Sequence, residues 1–173
     1  RTFTDAMPHL RDRGPAQVMT YLNRHMFTRR PRPSFVTMFA SELNVSSGIL
    51  RYCIAGHPPP ILKSTKACEF IPAGEGIPLQ ILRDYQWDAL SLQMNPGDVL
   101  VAYSDGITEA LSPAGVQFGH SRLLEIVESG PDDPHQLLQQ ILGELTRHAE
   151  SRTFHDDQTI VIAKYCDGMN ARY

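Results

Sequence analysis

The strongest constraint on the fold is the order in which two periodicities follow one another. From Ser34 to Tyr103, β-branched and aromatic residues come in short runs punctuated by Gly, Pro and Asn. From Ser121 to Ala149, apolar residues instead recur every three to four positions, and Gln158–Tyr165 returns to a strand pattern. A run of strands, then helices, then one strand points to an α+β fold with antiparallel sheets, because a parallel sheet would alternate strand and helix. The 173 residues fit a single domain spanning 1–173. With 42% hydrophobic and 20% charged residues, the chain has enough apolar surface for a core and too little charge for global disorder.

The elements can be placed individually. Phe3, Met7 and Leu10 suit a helix face that Pro8 interrupts. Pro15 at a first turn, with Val18, Tyr21, Leu22, His25 and Met26 spaced behind it, predicts a helix over Pro15–Phe27. Ser34–Leu43 and Ile49–Ala55 flank an Asn44–Gly48 turn and predict a hairpin. The Gly56-His57-Pro58-Pro59-Pro60 segment ends it, since proline cannot donate to a ladder. Short strands are expected at Ile61–Lys63 and Cys68–Ile71, and a half-buried one at Trp87–Met94. After an Asn95–Asp98 turn, Val99–Tyr103 is a continuous apolar strand, central by its composition. Helices follow at Ser121–Glu128, with Leu123, Leu124 and Val127 inward, and at Pro134–Ala149. The second takes Asp133 as its cap and Leu137, Leu138, Ile141, Leu142 and Leu145 as its stripe. Tyr21, Met26, Met38 and Met94 read as core, and residues 166–173 as a tail.

Composition excludes several function classes. Net charge is −3 and no basic stripe is present, which argues against nucleic acid. The most basic stretch, Arg29, Arg30 and Arg32, reads as a solvated loop. No run reaches the roughly 18 apolar residues that a membrane span requires. Cys53, Cys68 and Cys166 are too scattered for a zinc spacing and odd in number, so a reducing, cytoplasmic setting fits best.

Chemistry concentrates at three places. Asp105 stands where an apolar strand runs into glycine; a carboxylate buried there needs a partner or a cation, though Asp105-Gly106 also suits a plain turn. Asp156 and Asp157 are adjacent carboxylates before the strand at Ile160, suited to a hard divalent cation or to a solvated loop. His57, on a rigid Gly-Pro loop, suits general acid–base chemistry, phosphate contact or turn capping. No Ser-His-Asp, Cys-His or phosphate-cradling glycine signature is present.

Taken in order, PAQVMTYLNRHM, FVTMFASELNVSSGILRYCIAGHPPPIL, LQMNPGDVLVAYSDGITEAL and HDDQTIVI resemble the stage II sporulation protein E branch of the metal-dependent (PPM-type) protein phosphatases, over about residues 14–165. The resemblance implies a two-layer antiparallel β-sandwich flanked by helices, with two Mn²⁺ or Mg²⁺ ions at one edge. It implies hydrolysis of phosphoserine or phosphothreonine in a protein substrate, an anti-sigma-factor antagonist being the expected partner. By match to the family motifs, Asp105 and Asp156 are metal ligands and Asp157 a further candidate. His57 is placed as a catalytic group and Gly56 as a substrate contact. The family's GD…D and DxSGHG-like segments have no counterpart in residues 1–34. Asp5 and Asp12 lack the glycine context. The expectation is therefore an N-terminally incomplete site, impaired in metal binding, with exposed sheet edges that favour self-association. The alternative is an inactive binding or dimerisation module of the same fold.

Overall fold

The structure is a computed structural model that describes residues 13–27, 34–150 and 156–166. The helix face expected at Phe3, Met7 and Leu10, the carboxylates Asp5 and Asp12, and the run Arg29, Arg30 and Arg32 lie outside those residues. In chain order the elements are α1 (Pro15–Phe27), β1 (Met38–Asn44), β2 (Ile49–Ala55), β3 (Ile61–Lys63), β4 (Cys68–Phe70), β5 (Leu90–Gln93), β6 (Val99–Tyr103), α2 (Asp105–Thr108), α3 (His120–Ser129), α4 (Pro134–Ala149) and β7 (Ile160–Lys164). The α+β composition with antiparallel sheets is as expected. The described residues form two compact units. One holds residues up to His57 together with Pro72–Gln93, and the other holds Pro58–Ile71 and the residues from Met94 on.

The first unit is built on a three-stranded sheet in the order β1-β2-β5, wholly antiparallel. Its hairpin turn follows from Asn44, whose side-chain oxygen accepts the backbone N–H groups of Ser46 and Ser47, while Gly48 takes a positive φ of 70°. Helix α1 covers β1 and β2. Its buried face differs from the expected one: Met19, Leu22 and Asn23 are buried, whereas Val18, Tyr21 and Met26 are only half-buried. Met38 is also half-buried, and of the four residues expected in the core Met94 alone is fully enclosed. Asn23 is the deciding residue, because its carboxamide finds three backbone partners in the Gln80–Arg83 loop. The core of this unit gathers Met19, Leu22, Cys53, Ala55, Leu79 and Trp87. Burial, with the charge of Asp88 adding to it, pushes the Cys53 thiol up to about 11. A thiol reagent at pH 8 is therefore expected to modify exposed Cys166 in the native protein and Cys53 only after unfolding. Titration of reactive thiols with and without denaturant checks this.

The second unit holds a four-stranded sheet in the order β4-β3-β6-β7. Strand β6 lies inside it, as its unbroken apolar run demanded. The Asn95–Asp98 turn clamps the far end of β7: Gly97 N–H donates to the Tyr165 carbonyl, and Tyr165 N–H to the Asp98 carbonyl. Asp133 caps α4 by accepting the Gln136 N–H at 2.9 Å. The buried stripe of α4 is Leu137, Ile141, Leu145 and Ala149; Leu142 points to solvent and Leu138 is half-buried. Each fully buried leucine or isoleucine there contributes roughly 1.5–3 kcal/mol. In α3, Ile126 joins Leu123 and Val127 inside, and Leu124 is half-buried. Lys63 ties the end of α3 to the sheet through the Gly130 carbonyl and Asp132. Its charge and hydrogen bond hold the Asp132 carboxyl below the usual range.

Candidate functional site

Strands β6 and β7 pair from Val99↔Lys164 to Tyr103↔Ile160, so the segments leaving that end of the ladder are brought side by side. One is Ser104-Asp105-Gly106 and the other is Asp156-Asp157-Gln158-Thr159. Ser104 stitches them together. Its backbone N–H donates to the Thr159 carbonyl at 2.9 Å, its hydroxyl donates to the Asp157 carbonyl at 3.1 Å, and the same oxygen accepts the Thr159 N–H at 2.9 Å. Gln158 adds a bond to the Gly106 carbonyl. Sequence reasoning did not single out Ser104, Gln158 or Thr159; their signal lay in the polar residues flanking each aspartate.

The expected turn at Asp105-Gly106 is the start of the one-turn helix α2. Gly106 is buried and its φ is not positive, so glycine is needed there for space. A Cβ on it would lie 2.5 Å from the Asp157 carbonyl oxygen and 3.5 Å from the Asp156 Cβ. The close approach of the two acidic segments thus depends on a missing side chain. Asp105 Oδ1 accepts the Gly106 N–H at 3.0 Å, and Asp156 Oδ1 accepts the Asp157 N–H at 2.8 Å. Both local bonds orient a carboxylate and leave its second oxygen for other partners.

The structure corrects one argument from sequence. Asp105, Asp156 and Asp157 are all exposed, so no desolvation penalty demands a cation there. What distinguishes the place is the juxtaposition of Asp105 and Asp156 on paired strands. Gly56 and His57 belong to the first unit. Gly56 adopts φ 61°, donates its N–H to the Gly76 carbonyl at 2.9 Å and abuts Pro78. His57 is half-buried, with Nδ1 at 3.4 Å from the Thr37 hydroxyl.

Replacing Ser104 with alanine removes two side-chain hydrogen bonds whose backbone partners sit near water. The expected loss is about 1 kcal/mol of stability, read by chemical denaturation. The amide of Thr159 is expected to exchange faster in the same variant; unchanged exchange would show that the strand pairing alone fixes this edge.

The sequence model of the family described as stage II sporulation protein E (SpoIIE) matches residues 1–165. The chain belongs to the SpoIIE family. Among curated relatives, Protein IcfG of Synechocystis sp. is 29% identical over 127 residues, covering 73% of this chain and 20% of that protein. Phosphoserine phosphatase RsbU of Bacillus subtilis is 28% identical over 162 residues, covering 92% of this chain and 48% of that protein. The chain therefore spans about a fifth of one curated relative and about half of the other. The SiaA-PP2C domain of Pseudomonas aeruginosa matches with a TM-score of 0.81 at 14% identity, over 94% of this chain and 65% of that domain. At that identity the likeness bears on the fold.

Metal dependence is typical of the SpoIIE family, and exposed aspartate oxygens are the donor type that Mg²⁺ and Mn²⁺ take. Among the described residues, however, no group of three or more His, Cys, Asp or Glu side chains is placed to hold one ion. The described donor set does not by itself fit a two-ion centre.

Proposed function

We propose that this chain carries part of the catalytic site of a metal-dependent protein serine/threonine phosphatase, within one phosphatase-type domain. The observation that carries the reading is the apposition of Ser104-Asp105-Gly106 and Asp156-Asp157 on paired strands, in a chain that the family matches over residues 1–165. Asp105 and Asp156 are the proposed Mn²⁺ or Mg²⁺ ligands, Asp157 a third, His57 an acid–base group and Gly56 a substrate contact. The relative RsbU is a phosphoserine phosphatase, which supports a phosphorylated protein as substrate. A solved relative joins the RsbU and RsbW domains of Rv1364c from Mycobacterium tuberculosis. It supports a place in sigma-factor regulation, with an anti-sigma-factor antagonist as the substrate. No described helix is long and apolar enough to cross a membrane, in keeping with the cytoplasmic setting proposed.

That no three metal-binding side chains are grouped around one point among the described residues favours a second reading, an inactive binding or dimerisation module. One assay separates the two. Mn²⁺-dependent hydrolysis of an aryl phosphate is measured for this chain, alone and joined to any sequence its gene encodes before Arg1, each beside Asp105→Ala. Hydrolysis that requires Mn²⁺ and Asp105 in either form supports the phosphatase. Silence in both forms supports the module.

A further inference from the structure

The exposed face of α1 lines a cleft of about 410 Å³ that neither the acidic edge nor the phosphatase reading uses. Arg13, Gln17, Thr20 and Arg24 run along one side of it, and Gln86 and Trp87 form part of the rest. Positions 17, 20 and 24 share a helix face, and Arg13 precedes the first turn. At 1.5 Å per residue, Pro15 and Arg24 stand about 14 Å apart along the helix axis, and Arg13 lies two residues before that first turn. Among the described residues the rest of the lining is Ala16, Gln17, Thr20, Tyr21, Gln86 and Trp87, with no carboxylate. Two acidic residues, Glu75 and Asp88, line a second cleft that shares Trp87 with this one.

Arg24 has an ion partner, Asp84, at 3.6 Å, with both side chains largely exposed. A pair that long and that wet holds its partners weakly, so an incoming anion can displace Asp84. Among the described residues Arg13 forms no ion pair. Two cations at the ends of a polar groove, in a chain of net charge −3, make a local site of the sign opposite to the whole. The spacing selects the ligand's shape. An extended peptide, at about 3.3 Å per residue, covers that length of helix in roughly four residues and can set a carboxylate at each end.

We infer that this groove binds an extended acidic peptide segment of a protein partner, with carboxylates four to five residues apart engaging Arg13 and Arg24 and its backbone meeting Gln17 and Gln86. The inference is independent of the phosphatase reading, since it needs neither a metal nor hydrolysis.

Trp87 is the sole tryptophan of the chain and lines both this groove and the cleft of Glu75 and Asp88, so its fluorescence is read together with peptide anisotropy. The probe is a fluorescein-labelled peptide of glycine and serine with two glutamates four positions apart, titrated at low salt. Saturable anisotropy with a matching change in Trp87 emission is expected. Binding should weaken about tenfold in R13E/R24E, and as much when the glutamates become glutamines. The double variant K66E/K164E, with the same change in net charge outside the groove, should bind as the parent does. Equal weakening in both double variants would show general electrostatics and overturn the site. So would undiminished binding of the glutamine peptide, or no saturable binding at all. Should R13E/R24E lose its circular-dichroism signal, R13Q/R24Q, which adds no repulsion, replaces it with the same expected direction.

Discussion

Gly106→Ala is expected to pull the two acidic segments apart and to lower Mn²⁺-dependent hydrolysis by roughly 100-fold in whichever form of the protein is active, as misplacement of a site by about an ångström does. The reason is steric. The new Cβ would sit 2.5 Å from the Asp157 carbonyl oxygen, a backbone atom that cannot rotate away. Either α2 or the Asp156–Thr159 segment must move, and the Ser104 bonds to Asp157 and Thr159 move with it. Crowding a packed contact of this kind costs about 1–3 kcal/mol, so the fold should survive while the edge opens. Thermal unfolding beside aryl-phosphate hydrolysis reads both effects. Full activity in Gly106→Ala would mean that Asp105 and Asp156 need not be held together, and the proposed ligand pair would fall.

Asn23→Leu is expected to destabilise the protein by about 3 kcal/mol, although it makes α1 more apolar. Asn23 is fully buried. Its Nδ2 donates to the carbonyls of Leu82 and Arg83 at 2.9 and 3.0 Å, and its Oδ1 accepts the Gln80 N–H at 2.8 Å. Leucine shares the branching at Cγ, is somewhat larger, and replaces none of these bonds, so three backbone groups lose a partner at once. The helix itself should persist, because leucine is the better helix former. The failure should appear in the Gln80–Arg83 loop, as fast exchange of the Gln80 amide. A stability loss without that change would place the defect in packing instead.

These two positions mark what local pattern leaves out. The helices Pro15–Phe27 and Pro134–Ala149 and the strands Ile49–Ala55 and Val99–Tyr103 were legible because period, proline placement and cap residue all agree. Aspartate at the cap position before Pro134 needs nothing beyond its own turn to act. The buried face of α1 was not legible. Asn23 reads as a surface residue until the Gln80–Arg83 loop, nearly sixty residues on, supplies its partners. The stripe of α4 was legible except at Leu142, which lies at the margin of the apolar arc, where neighbouring elements decide exposure.

For the candidate site, the sequence by itself determined the ingredients: Asp105 after an apolar strand, Asp156 and Asp157 before another, and the order of motifs that carries the family. Only the tertiary structure decided that β6 and β7 are neighbours, so that residues some fifty positions apart share one sheet edge. It also decided that these carboxylates are exposed and that Gly106 is required for space. Chain-local chemistry sets caps, turns and strand composition. Strand pairing and close backbone approach depend on long-range contacts, which carry no periodic signature in the sequence that makes them.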